Sequence, residues 1–154
     1  MLEIMAVVAV VGILAALAVP SYLNLLVRDQ IKTALPLADI AKQPIAAAWS
    51  QTQTFLADNA KAGLPAADKV VANYVTALAV EDGAIHITFG NRAHKVVAGK
   101  ILTLRPAVVE DAPVVPIAWV CGYAEPPAKM TIHGKSLTDI PQELLPTECR
   151  ALKQ

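Results

Sequence analysis

The first part of the chain is an unbroken apolar run. No charged side chain occurs between Ile4 and Val27, a stretch of 24 residues that would form roughly 36 Å of helix. In the segment IMAVVAVVGILAALAV, apolar side chains occupy every face of such a helix, so no face is marked for water. The pattern predicts a helix that is long enough to cross a bilayer and is surrounded by lipid or by other protein.

Beyond Pro20 the apolar positions narrow to a single stripe. From Ile31 to Leu56 they recur mostly every three or four residues, the period of a helix that packs one face on a domain. A helix from Glu3 to Leu56 would be roughly 80 Å long, too long for a domain of about 100 residues. Its first half must therefore project. We expect it to end near Asp58 and to bend or loosen at its prolines, Pro20, Pro36 and Pro44.

The remaining pattern predicts a small antiparallel sheet. Glu81-Asp82-Gly83 supplies turn residues between two segments rich in strand formers, which predicts a hairpin. Two further strands follow, and we expect Pro106 to end the first of them. The four expected strands are Tyr74–Val80, Ile85–Phe89, Ile101–Arg105 and Ile117–Cys121.

These patterns predict an α+β protein, a long N-terminal helix packed on an antiparallel meander of about four strands. The expected division is an anchor helix over 1–27, an amphipathic helix over 28–58 and a globular head over 59–154. After Cys121 the chain is rich in turn residues and lacks sustained periodicity.

Charge and cysteine content narrow the function. The 13 basic and 13 acidic residues cancel, so no overall bias toward nucleic acid or anionic lipid exists. The two cysteines, Cys121 and Cys149, have no CxxC spacing and no nearby histidine that would complete a metal site. A disulfide in an extracytoplasmic compartment is their simplest use.

The acidic residue Glu3 argues against a cleaved secretory signal. Ala16-Leu17-Ala18 resembles a signal-peptidase site, and this alternative stays open on pattern alone. A signal peptide, however, begins with positive charge, whereas no Lys or Arg precedes Arg28. Because a carboxylate at bilayer depth costs a few kcal/mol, we expect Glu3 to mark a pairing site, with the alternative that it faces the headgroups at the membrane border.

Catalytic chemistry is not expected. The serines lack a G-x-S-x-G context and the histidines lack metal-binding spacing, so we predict neither an enzyme nor a cofactor. We expect His86 on the solvent side of a strand, and His94 and His133 in loops. One modest basic stretch is expected to be a solvated loop, with contact to DNA or to a surface as the alternative; it comprises Arg92, His94, Lys95 and Lys100.

Three segments resemble one known family. LEIMAVVAVVGILAALAVPSYLN resembles the N-terminal signature of type IV pilins. IAWVCGYAEPPAKM and LLPTECR resemble the disulfide-bounded C-terminal region of type IVa major pilins from Gram-negative bacteria, and GAIHITFGNRAHKVVAGKILTLRPAV resembles their strand region. The resemblance implies an inner-membrane subunit, N-terminus inside, that dedicated machinery extracts and polymerises into an extracellular filament for adhesion and twitching motility.

The resemblance also assigns roles within the first helix. Glu3 matches the family's acidic position, which implies pairing with the N-terminal amine of a neighbouring subunit. A local loss of helix in the filament between about Gly12 and Pro20 is implied as well. The family's basic leader and first two mature residues have no counterpart in this sequence, so processing and N-methylation cannot be read from it.

Two alternatives remain open at this point. A minor pilin or a secretion-system pseudopilin would have a similar anchor and a specialised role, although the Cys-bounded tail favours a pilin. A membrane-anchored periplasmic binding module would never polymerise, and it would be monomeric in detergent.

Overall fold

The computed structural model describes residues 1–152 and begins with a long helical stretch. Helix α1 spans Leu2–Ala34, a 3-10 turn spans Leu35–Ala38, and helix α2 spans Asp39–Thr52. The interruption expected at Pro36 is present as the 3-10 turn, which places this proline at its start. At Pro20 and Pro44 the helix continues without a break, so the expected loosening is absent there.

Helix α2 ends several residues earlier than predicted. Gln53 adopts a left-handed conformation with φ of 52°, and its N–H donates to the Trp49 carbonyl at 2.9 Å. The chain then reverses, and the Phe55 ring stacks on the Trp49 ring at a centroid separation of 4.9 Å. The prediction of helix up to Leu56 was wrong because Gln53 carries no sequence signal for this cap, which glycine usually provides.

The sheet confirms the predicted antiparallel meander and the α+β class. Strands lie in the order β1-β2-β3-β4, and a short fifth strand, β5, pairs with β3 beyond the end of β2. Asp82 and Gly83, both with positive φ, form the predicted hairpin turn between β1 and β2. The strands are β1 Val75–Glu81, β2 Ala84–Phe89, β3 Ile101–Val108, β4 Ala118–Cys121 and β5 Thr131–Ile132.

Two features of this sheet differ from the prediction. β3 continues through Pro106 because this residue falls between Leu104, the last partner of β2, and Ala107, the first partner of β5. Pro106 lies opposite Trp119 of β4, but alternate residues of β3, beginning with Thr103, form the hydrogen bonds to β4, so this pair does not need the missing N–H. Its carbonyl accepts the His133 N–H at 2.9 Å on the other side. β5 was not predicted because a strand of two residues has no readable alternation.

One face of the sheet packs on the helices and forms the core. The buried helical stripe runs from Val27 to Trp49, and its members lie three to four residues apart. It confirms the stripe predicted from Ile31 at most positions, whereas Thr52 is exposed and Leu56 lies beyond the helix. Each fully buried large aliphatic side chain contributes roughly 1.5–3 kcal/mol, which fixes the helix on the sheet. The helix residues in this core are Val27, Ile31, Ala34, Ala38, Ala41, Ile45 and Trp49, and the largest strand residues are Leu78, Ile85, Ile87, Phe89 and Leu102.

The opposite face of the sheet is crossed by residues 133–139, which we call the strap. The strap starts beside β3 on the side of β2, where the His133 N–H donates to the Pro106 carbonyl. It ends on the side of β4, where the Asp139 N–H donates to the Ile101 carbonyl at 3.2 Å. Gly134 lies so close to β2 that a Cβ there would stand 2.7 Å from the Ala84 Cβ. The outer-face side chains of Ala84, His86 and Thr103 are therefore buried, while within the described residues the two long helices pack on the other face.

Candidate functional site

Residues 1–26 extend away from the head, and we call them the projecting segment. All but two of its residues are exposed, and the apolar window long enough to span a bilayer has no buried residue. An apolar surface of this extent in water is strongly unfavourable, so it requires lipid or other protein around it. It is the largest candidate interaction surface in the described part of the chain.

Glu3 lies in the first turn of α1. The N-terminal end of a helix carries partial positive charge, which favours a carboxylate at this position. That effect supplies at most a couple of kcal/mol, less than the cost of enclosing an unpaired carboxylate in apolar surroundings. Glu3 is therefore compatible with a bilayer surface, and deeper burial requires a cation.

Gly12 and Pro20 lie in the projecting segment, and both weaken the helix. Gly12 has no atom from other residues within 4 Å of the position that a Cβ would occupy. Glycine costs about 1 kcal/mol in a helix relative to alanine, and Pro20 removes one hydrogen bond of the ladder. In the single subunit the helix is continuous through both residues. Loss of helix between them in a filament stays a prediction.

Arg28 braces the helix where it enters the head. Its Nε and Nη2 both donate to the Glu143 carbonyl, at 3.1 and 2.6 Å. Arg150 donates from Nε to the Leu145 carbonyl at 2.8 Å, in the same C-terminal segment. The Arg28 hydrogen bonds fix α1 against the C-terminal segment, and the Arg150 hydrogen bond lies within that segment. Sequence reasoning missed it because a backbone acceptor 115 positions away leaves no trace in the sequence.

The disulfide between Cys121 and Cys149 is formed, with an S–S distance of 2.02 Å and a Cα–Cα distance of 4.5 Å. Both half-cystines are buried. The Tyr123 N–H also donates to the Cys149 carbonyl at 3.0 Å, so the two ends of the bounded region are joined twice. The predicted bridge closes the segment that contains β5, the strap and the partners of both arginines.

His86 is buried, and its predicted exposure was wrong. It lies on the outer face of β2, which the strap covers, and it is 4% exposed. Its Nδ1 lies 2.9 Å from the Thr103 Oγ1, which accepts the Leu137 N–H of the strap at 3.0 Å. Either of these two atoms can donate to the other, depending on the tautomer of the ring. Among the described residues, the buried Nε2 of the same ring has no hydrogen-bond partner.

Burial lowers the pKa of His86 below its usual 6.5, and the Glu81 carboxylate, 3.6 Å from Nε2, opposes this shift only in part. The folded state therefore favours the neutral ring, whereas the unfolded chain takes up a proton near pH 6.5. The stabilisation of the fold by the neutral His86 ring is therefore fully present above pH 6.5. This stabilisation is lost as the pH falls from 6.5 toward the lower pKa of the folded state.

We expect acid to destabilise the head partly through His86. The free energy of unfolding of the detergent-solubilised protein should fall between about pH 7 and pH 5. In His86→Gln, which cannot titrate, the fall should be smaller, because other groups alone remain to produce it. Urea denaturation of both proteins at several pH values measures the difference. Parallel pH profiles would show that His86 takes no part.

The four residues of the predicted basic stretch lie in one loop, residues 90–100, between β2 and β3. Arg92 and Lys95 are exposed, and His94 and Lys100 are half-buried. The loop is attached to α1 because the His94 N–H donates to the Gln30 Oε1 at 2.9 Å. The structure therefore brings these residues together beside the point where the projecting segment leaves the head. His94 and His133 both lie in irregular segments, as predicted.

The protein consists of an exposed apolar helix of bilayer length and a small α+β head that contains one disulfide. This architecture defines a class of subunits whose apolar helix needs lipid or other protein around it. Residues 27–150 match the pilin family of bacterial filaments. The type IV major pilin protein PilE1 of Neisseria gonorrhoeae is 31% identical over 97% of this chain and 84% of its own length. The fimbrial protein EcpC of Eikenella corrodens is 33% identical over 79% of this chain and 78% of its own length.

The chain therefore belongs to the pilin family, as a type IV pilin and a structural subunit of a pilus filament. A second gonococcal relative, the type IV major pilin protein PilE, is 32% identical over 79% of this chain and 71% of its own length. The resemblance predicted from the sequence is confirmed.

Proposed function

We propose that this chain is the repeating, non-enzymatic subunit of a type IV pilus that supports adhesion and twitching motility. The exposed apolar projecting segment carries the proposal. It anchors the subunit in the inner membrane, N-terminus inside, until assembly machinery extracts it. Packed beside other copies along the filament axis, the segment remains enclosed in apolar surroundings, and the head stays in water.

The transfer from lipid to filament has little net hydrophobic driving force, because both environments are apolar. Specific contacts must therefore supply direction and register. Glu3 provides one such contact when it meets the N-terminal amine of a neighbouring subunit, since a carboxylate enclosed in an apolar core is tolerable only beside a cation. Loosening of the helix between Gly12 and Pro20 would allow neighbouring helices to adjust around one another.

Several relatives are named major pilins, which favours the main repeating subunit over a minor one. The disulfide-bounded region favours a pilin over a secretion pseudopilin. A periplasmic binding module that never polymerises would bind its ligand through the head. The exposed apolar surface lies instead on the projecting segment, which favours a polymerising subunit.

Filaments sheared from the surface of cells that make this chain test the proposal. Electron microscopy should reveal thin filaments, and mass spectrometry should identify this chain as their main component, with peptides from the projecting segment present. Cells lacking the chain are the control. The proposal fails if the chain is monomeric in detergent and absent from sheared filaments. It also fails if the extracellular protein begins after Ala18.

A further inference from the structure

The connections of the sheet place two groups of charges at opposite ends of the head. In an antiparallel meander, consecutive connections alternate between the two ends of the sheet. The β1–β2 turn and the β3–β4 connection therefore share one end, which we call the distal end. The β2–β3 loop, residues 90–100, lies at the other, the anchor end, together with Gln30 of α1.

The connections at the two ends differ in the sign of their charges, although Asp29 and Asp139 also lie at the anchor end and Lys135 lies at the distal end. The loop 90–100 contains Arg92, Lys95 and Lys100 and no acidic residue. At the distal end, residues 81–83 and 109–112 contain four acidic residues and no Lys or Arg. The four acidic side chains, all exposed, are Glu81, Asp82, Glu110 and Asp111.

These charges are not neutralised within one subunit. None of Arg92, Lys95 and Lys100 forms an ion pair with any described residue, and the acidic residues pair at most with a histidine. β3 separates the two ends by its eight residues, or roughly 25 Å at the strand rise of about 3.3 Å. That distance is about three times the screening length of about 8 Å at physiological ionic strength. Each group is therefore free to interact with another molecule.

The direction in which copies of the chain pack identifies the molecule that each charged group contacts. Subunits that all have the same orientation in the membrane must pack their projecting segments in parallel. The anchor end of one head then faces the distal end of another, which is a head-to-tail contact that repeats along a filament without closing. The loop 90–100 is also continuous with α1, the surface through which copies associate.

We propose that the basic loop 90–100 of each subunit docks on the acidic distal end of a second copy. This inference rests on the proposed function and adds the partner surface of the head. Complementary charges at such a contact set register and orientation in addition to Glu3, whereas the apolar side chains of the projecting segment supply neither. The fit is directional because each head carries one group of each sign.

Charge reversal with reciprocal rescue tests the contact. The double variant Arg92→Glu/Lys95→Glu should reduce the yield of sheared filaments about ten-fold or more, because like charges then face each other. Adding Glu81→Lys and Glu110→Lys to this variant leaves the distal end without net charge, because Asp82 and Asp111 remain. The repulsion is then removed, so the yield should rise at least about three-fold above that of the double variant. The matched control Lys61→Glu/Lys69→Glu changes the same charge on exposed residues outside both charge groups and should assemble normally.

Neutral substitutions at the same two positions provide a second test if the charge-reversed variant Arg92→Glu/Lys95→Glu folds poorly. Arg92→Gln/Lys95→Gln should lower the yield and make it less sensitive to added salt, since salt screens the attraction that this variant lacks. Thermal unfolding in detergent checks each head.

Two results would overturn the inference: normal assembly of the Arg92→Glu/Lys95→Glu variant, and failure of the four-residue variant to recover. If the loop variant assembles normally and its filaments lose only the retention of duplex DNA, the loop is a nucleic-acid contact instead. Filaments from the original chain in the same experiment show that the proposed function stands whichever way the loop behaves.

Discussion

Glu3→Gln is expected to abolish pilus filaments while leaving the subunit in the membrane. Glutamine has nearly the same size and keeps the apolar segment intact, but it cannot neutralise the amine of a neighbour. A buried charge that loses its partner costs about 3–5 kcal/mol, a factor of several hundred or more in the stability of each contact. Because the contact repeats at every subunit, a loss of this size should reduce sheared filaments below detection.

Cell fractionation separates this effect from a failure to insert. The Glu3→Gln chain should be found in the inner membrane at a normal level, since removing a charge from the edge of an apolar segment favours insertion. Asp29→Asn is the matched control, because it removes one exposed acidic charge from the same helix beyond the projecting segment. Normal filaments from Glu3→Gln would refute the assigned role of Glu3. A loss of filaments in both variants would point to a general effect of charge.

Replacing both cysteines, Cys121→Ala/Cys149→Ala, should destabilise the head by roughly 3–4 kcal/mol in the chain-entropy account of disulfides. The bridge spans 28 positions, and opening it restores conformational freedom to the unfolded chain. The bounded segment contains β5 and the strap, which buries the outer face of the sheet at His86 and Thr103. We therefore expect the strap to loosen before the core around the helix.

Urea denaturation of the detergent-solubilised chain measures the total loss, and amide hydrogen exchange locates it. Exchange should accelerate first at Leu137 and Asp139, whose N–H groups hold the strap. The original chain treated with a reducing agent is the control for the alanine substitutions, because it opens the same bridge without changing the sequence. An unchanged denaturation midpoint in both would show that the bridge contributes little to stability.

These two experiments address different parts of the molecule. Glu3 belongs to the segment that we propose contacts other copies, so its loss should leave the head's stability unchanged. The disulfide lies in the head, so its loss should change stability even in a single subunit. A stability change from Glu3→Gln would indicate that the projecting segment also contributes to the fold of the head.

The sequence alone determined the features that depend on local or strictly periodic patterns. The apolar run predicted the projecting segment, since burial in water-free surroundings is the only stable arrangement for a helix that is apolar on every face. The Asp82-Gly83 turn predicted the hairpin because positive φ at both positions favours these residues. Cys121 and Cys149 are the chain's two cysteines, so a bridge within the chain had one possible pairing.

Contacts between distant residues decided the rest. The passage of β3 through Pro106 and the short strand β5 depend on neighbours that only the folded chain brings together. The left-handed conformation of Gln53 makes only a local hydrogen bond, and its residue type does not indicate it. His86 alternates with core residues along β2, which predicts exposure on a sheet covered on one face. The strap covers the second face, and a segment without periodicity gives no sign of where it will lie. Its position follows from hydrogen bonds to β3, whose partners lie more than 30 positions away.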